Sequence, residues 1–228
     1  MTETGDRTYD FELQALRGML LALGGKVETE VEGSVRALLD RDSARAEAVV
    51  HSDREVNRLE VEIDEACRRL LSLRTPAASD LRFITTALKI VVDLERVGDL
   101  AVNIAERVDA LNQAPPLRPV VDLARLAELG QAQLRKSLDA FVDQDAKKAE
   151  EVLAGDALVD ALYYKVFNEY LGYMMEDSKN IRRATAYLFI AKHLERLGDH
   201  ATNVAEMVIF MVRGEDVRHP GSRNLPKP

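Results

Sequence analysis

The sequence repeats itself at an offset of 100 residues, and this repeat limits the fold more than any other feature. Residues 93–106 read Asp-Leu-Glu95-Arg96-Val-Gly98-Asp99-Leu-Ala101-Val-Asn103-Ile-Ala105-Glu106, and residues 193–206 read His-Leu-Glu195-Arg196-Leu-Gly198-Asp199-His-Ala201-Thr-Asn203-Val-Ala205-Glu206. Of the 28 positions from 81 to 108, 14 match their partners in 181–208 without a gap, where unrelated segments share roughly two or three. A chain of 228 residues is therefore read as two similar halves of about 100 residues each.

The halves are helical. Apolar residues recur at spacings of three and four almost throughout, with no sustained alternation of period two. Leu13, Leu16, Leu20, Leu23, Val27, Val31, Val35 and Leu38 mark a first helix over about 11–39. A second, with Asp42 or Ser43 at its start, runs through Val49, Val56, Leu59, Ile63, Cys67 and Leu70 to about Leu73. Thr75-Pro76 ends it, because proline lacks an amide donor and clashes with the preceding turn. Ser79 is the expected N-cap of a third helix through Leu88, Val91, Leu94 and Val108.

The segment 112–119 holds Pro115, Pro116 and Pro119 and reads as a linker. A fourth helix is predicted over about 120–142, a fifth over about 146–175 with a bend near Gly155-Asp156, and a sixth over about 181–212. The sequence thus predicts an all-α fold of two tandem, pseudo-symmetric three-helix bundles, residues 8–111 and 120–213, followed by a disordered tail over 214–228.

Composition narrows the function. The net charge of −8 argues against a general grip on nucleic acid phosphates, which needs clustered Lys and Arg, and suits a cation or a basic partner better. Cys67 is the only cysteine, so an intrachain disulfide and a thiolate zinc site are excluded; its spacing places it in the core. The first ten residues lack the layout of a signal peptide and no apolar run approaches 18 residues, so a soluble cytoplasmic protein is expected. There is no P-loop, dinucleotide fingerprint or nucleophile-elbow motif, and no Glu-x-x-His of the kind that builds ferritin-like di-iron sites.

The repeated motif carries the candidate chemistry. Positions four apart on a helix lie about 40° round from one another and roughly 6 Å apart, so Glu95, Asp99 and Asn103 form one slanting row, as do Glu195, Asp199 and Asn203. Antiparallel pairing about the turn near Pro76 brings Glu95 near Arg58 and Asp99 near Asp53 or Arg54, and Asn57 lies four residues beyond Asp53. Pairing about Ser178 brings Asp199 opposite Asp156, with Asp160 four residues on. Each half thus sets two oxygen-rich pairs against each other on neighbouring helices. Such a patch repels itself unless a cation joins it, and its hard oxygen donors suit Mg²⁺, Mn²⁺ or Ca²⁺, or carboxylate-bridged Fe or Zn.

The plainer reading is a salt-bridged surface, since Arg96–Asp99 and Arg196–Asp199 have i,i+3 spacing. Recurrence favours the metal, and Gly98 and Gly198 add to it: a mid-helix glycine costs up to about 1 kcal/mol against alanine, so close helix approach is expected there. His200 is read as a ligand or as an exposed or capping histidine, His51 and His193 as ordinary isolated histidines, and Arg68-Arg69 and Arg182-Arg183 as solvated faces. Tyr163, Tyr164, Phe167, Tyr170, Tyr173, Met174 and Met175 are read as the core and flank of the fifth helix.

The segment from Pro76 through Asp80-Leu81-Arg82 to Leu94-Glu95-Arg96-Val-Gly98-Asp99-Leu-Ala101-Val-Asn103 resembles the first half of the PhoU family. Leu194-Glu195-Arg196-Leu-Gly198-Asp199-His200-Ala201-Thr202-Asn203 resembles its second half, and the likeness covers about residues 8–213. The resemblance implies two three-helix bundles that bind divalent or trivalent metal ions on acidic stripes. It also implies a non-enzymatic regulator that couples the ATPase subunit of a phosphate ABC transporter to a phosphate-sensing histidine kinase and represses the starvation response when phosphate is plentiful. Such a protein is expected to form a homodimer, to bind no nucleic acid and to act at the inner face of the membrane through its partners. By that resemblance Glu95, Asp99, Asn103, Glu195, Asp199 and Asn203 would hold metal, joined by Asp53, Asn57, Asp156 and Asp160. Leu100 stands where the second copy has His200, so the two sites are expected to differ. A metal-dependent phosphohydrolase and a metal-free helical adaptor are the competing readings.

Overall fold

The computed structural model describes residues 2–73, 75–117 and 121–218, with side chains from residue 8 onward except that of residue 121. It contains α1 (Thr2–Asp40), α2 (Ser43–Leu73), α3 (Ala78–Asn112), α4 (Val121–Asp143), α5 (Ala146–Glu176) and α6 (Ile181–Arg213), with one 3₁₀ turn, Ser178–Asn180, before α6. No strand occurs among the described residues. α1 extends N-terminally beyond Phe11, and Tyr9, buried four residues before Leu13, continues its core-facing spacing. α5 is one unbroken helix across Gly155.

Turn chemistry sets the helix ends. Asp42 Oδ1 accepts from the Arg45 amide at 3.0 Å at the start of α2. Asp145 does the same for α5, accepting from the amides of Lys147 at 2.8 Å and Lys148 at 3.3 Å. α3 starts differently: Ala77 is its extended flanking residue and offers no side-chain cap, while Ser79 already lies in the first turn. Gly214 closes α6 in the left-handed conformation at φ 73°. Of the tail expected to be disordered, residues 214–218 follow without helix and Val217 packs against the core; residues 219–228 lie outside the described residues.

The first two helices of each half repeat as well, at an offset of 103. Arg41 and Gln144 both take positive φ, 57° and 50°. The amides of Asp42 and Asp145 donate to the carbonyls of Ala37 and Ala140, each at 2.9 Å. The buried hydroxyls of Ser34 and Ser137 donate to Val31 O and Leu134 O. This repeat is carried by backbone conformation more than by residue identity, and it places residues of α1 and α2 opposite counterparts in α4 and α5.

α1, α2 and α3 pack together, α4, α5 and α6 pack together, and the two sets meet along α3 and α6, with α1 also touching α4. Lys89 lies over the Phe210 ring, Asp93 bonds His200 and Asn203, and Arg107 lies over Phe189, so α3 and α6 run antiparallel along this seam. Phe83 of α3 also stacks on Phe141 of α4, with centroids 6.3 Å apart. The buried apolar residues of both halves, Cys67 included, form one continuous cluster.

Both ring nitrogens of His193 are buried beside this seam without a partner among the described residues. Burial, followed by the charges of Arg107 and Arg196, pushes its imidazole down to about 4. Tyr170 is buried on α5 and stacks on Tyr187 of α6, whereas Tyr164, Phe167, Leu171 and Met175 leave one side of α5 exposed and apolar.

Candidate metal centre

In the first half α2 and α3 pair as the sequence spacing predicts. Burial raises the carboxyl of Glu95 above the usual range, and the charges of Asp99, Glu60 and Asp53 add to this against the opposing Arg96. Asp53 is raised by burial and by Asp99. Glu95, Asp99 and Asp53 therefore share one electrostatic neighbourhood across the two helices.

Local bonds use part of this set. Arg96 pairs with Asp99 at 3.0 Å and reaches Glu95 at 3.5 Å. Arg58, opposite Glu95 on simple pairing, bonds Glu62 on its own helix. Asn57 Nδ2 donates to Asp53 Oδ2 at 2.8 Å. Asn103 turns back along α3 and donates to the Asp99 carbonyl at 2.7 Å, so its amide nitrogen is tied to its own helix.

The sequence reading omitted Glu30 of α1. It is only 3% exposed. Its Oε1 accepts from Ser52 Oγ at 2.7 Å, while Oε2 is buried with no partner among the described residues, as is Asp53 Oδ1. Both orphaned oxygens point toward Gly98: a Cβ built there would lie 3.4 Å from Asp53 Oδ1, 3.5 Å from Glu30 Oε2 and 3.2 Å from Val56 Cγ1. Glycine at 98 thus leaves open a cradle lined by carboxylate oxygens of two other helices. Burial, opposed by the Ser52 bond and aided by Asp53, raises Glu30 to about 7. The missed signal is legible in hindsight, because Glu30 continues the 3–4 spacing Leu20, Leu23, Val27 into the core and ends on buried Ser34.

The second half uses the same helices differently. Lys192 Nζ bonds both oxygens of Glu195, at 2.7 and 2.6 Å. Asp199 is exposed, yet the packed helices strip enough water to raise its carboxyl, with Glu195 and the α5 residues Asp156 and Asp160 adding to the effect against Lys192. Asp156 accepts from Thr202 Oγ1 at 3.3 Å. Asn203 does not face this group: its Nδ2 donates to Asp93 Oδ1 at 3.0 Å across the seam. Two i,i+4 steps carry it about 80° round from Glu195, which is enough to move it off the stripe. His200 likewise faces Asp93, with Nδ1 at 2.8 Å from Oδ1. The Leu100/His200 difference therefore belongs to the seam, not to the acidic stripe.

Among the described residues no three His, Cys, Asp or Glu side chains gather tightly enough to form a coordination sphere as they stand. The fit to a cation rests instead on the orphaned oxygens of Glu30 and Asp53 and on the Gly98 cradle. These are hard donors in a partly desolvated niche and match an oxygen-seeking ion. The second half has no counterpart of this orphaned pair: the nearest atoms to a Cβ at Gly198 belong to Val159, at 3.2 Å and beyond.

A profile of the PhoU domain matches residues 20–108 and 123–208, one copy in each half. The chain belongs to the PhoU family. It is 40% identical over 226 residues to a Pseudomonas putida protein named phosphate-specific transport system accessory protein PhoU homolog, covering 99% of this chain and 88% of that one. It is 41% identical to the Pseudomonas aeruginosa protein of the same name, covering 97% and 92%. Among solved structures, PhoU from Pseudomonas aeruginosa superposes with a TM-score of 0.88 at 41% identity, covering 91% of this chain and all of that one. The phosphate transport system regulatory protein PhoU from Streptococcus pneumoniae follows at 0.84 and 33%, covering 92% and 99%. No described helix of this PhoU-family chain is long and apolar enough to cross a membrane.

Proposed function

We propose that this protein is a metal-binding regulator of phosphate uptake and phosphate-starvation signalling, coupling the ATPase of a phosphate ABC transporter to a sensor histidine kinase. When phosphate is plentiful it holds both in their restrained state. It works as a cytoplasmic homodimer at the inner face of the membrane, through its partners. The observation that carries this reading is the near full-length likeness to proteins named as accessories of phosphate-specific transport.

The acidic stripes supply the rest. Glu95, Asp99 and Asp53 in one half, and Glu195, Asp199 and Asp156 in the other, would hold a divalent or trivalent ion. The ion would supply positive charge that cancels their repulsion and fixes α2 against α3 and α5 against α6. A metal-free adaptor would leave the buried, unpartnered oxygens of Glu30 and Asp53 without a counter-charge. Affinity capture of the chain from phosphate-replete cells is expected to bring down the transporter ATPase and the sensor kinase. Capture of neither, from cells that express both, would overturn the reading.

A further inference from the structure

We propose that Glu30 is a cation ligand, making the first-half centre a three-helix site that binds Mn²⁺ more tightly than its second-half counterpart. This rests on the metal-binding reading above and extends it to a residue outside the Glu-x-x-x-Asp stripes.

Three observations carry it. Glu30 is 97% buried, from an exposure of 3%, and leaves Oε2 without a donor. That oxygen and the equally unpartnered Asp53 Oδ1 lie 3.5 and 3.4 Å from one point, the empty Cβ position of Gly98. Ser52 holds the other Glu30 oxygen at 2.7 Å, which fixes the carboxylate's orientation as an outer-shell partner does for a metal ligand. Two buried carboxylate oxygens facing one niche repel strongly at low dielectric, and a cation between them turns that repulsion into attraction.

The second half keeps Asp156 in the place of Asp53 but lacks the buried glutamate and the serine that holds it. At the offset of 103, Glu30 corresponds to Gln133, Ser52 to Gly155 and Val56 to Val159. Gln133 packs against Gly155, and Val159 is the nearest side chain to the Gly198 cradle. The second half does carry Asp160 where the first has Asn57. The first site therefore places one acid inside the bundle, where the second places it along the outer helix. An ion in the first site gives up more water and meets carboxylates in a drier setting.

The test is calorimetric titration of the purified full chain with Mn²⁺ after chelator treatment, comparing wild type, Glu30→Gln and Gln133→Glu. Two classes of site are expected in the wild type. Glu30→Gln should weaken the tighter class at least tenfold and leave the other unchanged, and Gln133→Glu should tighten the weaker class. The near-isosteric Gln keeps the Ser52 contact, and the gain in Gln133→Glu does not depend on Glu30→Gln folding well. Two classes that are unaltered in both variants would overturn the role of Glu30 while leaving metal binding intact. Absence of Mn²⁺ binding in the wild type would overturn the metal reading itself.

Discussion

Oδ1 of Asp93 on α3 takes both His200 Nδ1, at 2.8 Å, and Asn203 Nδ2, at 3.0 Å, from α6. One carboxylate oxygen thus ties the two halves together at a point where all three side chains are mostly shielded from water. Asp93→Ala leaves two polar groups without their acceptor and is expected to cost about 1–3 kcal/mol. His200→Ala added to Asp93→Ala should cost little more, because the shared bond is already gone. Urea denaturation of the two single variants and the double variant checks this; fully additive losses would show that the contact carries no coupling.

Glu30 sets a pH dependence in the metal-free chain. Burial raises it from 4.5 to about 7, so the folded state holds the proton more tightly than the unfolded one. The associated stability is fully present below pH 4.5 and is lost as pH rises through 7, a change on the order of 3 kcal/mol at most. Glu30→Gln should remove that loss, becoming more stable than wild type at pH 8 in the presence of chelator. His193 has the opposite sign. Its imidazole is held down at about 4 from 6.5, so its share of stability is present above 6.5 and is lost as pH falls through 4. Parallel profiles for wild type and Glu30→Gln between pH 5 and 8 would refute the first assignment.

Two glycines should respond in opposite directions to alanine. Gly172, within α5, has nothing within 4 Å of its Cβ position, so Gly172→Ala is expected to stabilise by up to about 1 kcal/mol through helix propensity. Gly130, on α4, would place a Cβ 3.2 Å from the Leu194 backbone oxygen and from Leu197 Cδ2, and backbone cannot move aside cheaply. Gly130→Ala should lower Tm by several degrees while Gly172→Ala raises it by about 2–4 °C.

Saturating cation should raise thermal stability through binding to the folded state alone, by about 2.7 kcal/mol at a hundredfold excess over Kd. The double variant Glu95→Ala/Asp99→Ala should lose the part of that shift due to the first half and keep the part due to the second. Differential scanning calorimetry with and without Mn²⁺ measures both; an undiminished shift in the variant would place the ion elsewhere.

Much of this was legible in the sequence, for reasons that can be named. The 3–4 spacing from Leu13 to Leu38 and from Val49 to Leu70 located helices, and Pro76 located the turn that sets Asp53 against Asp99. Those inferences need only one helix or one short turn. Glu30 needed the rotation of α1 against a packed α2–α3 pair, which no single turn dictates. Asn203 followed Glu195 and Asp199 on paper, but the seam with α3 lies about 100 residues away in sequence and competes for it. Ser79 looked like a cap by residue type, yet Ala77 already supplies the extended backbone on which the helix starts.

The α3–α6 seam sets what counts as a unit. Sequence repetition marks two halves, but Leu94, Ala101 and Ile104 of α3 and Leu194, Ala201 and Val204 of α6 belong to one dry interior. A half liberated at 112–119 would turn one wall of that interior toward water and would have to find a replacement wall. Its own duplicate is a poor substitute: Asp93 faces His200 and Asn203, whereas the mirrored positions hold His193, Leu100 and Asn103. Two copies of either half would lack the Asp93–His200 pair, since the first half has Leu100 and the second has His193 at those places. Each side of the joint is specialised for the other, and the Asp93–His200 bond forms only between unlike halves.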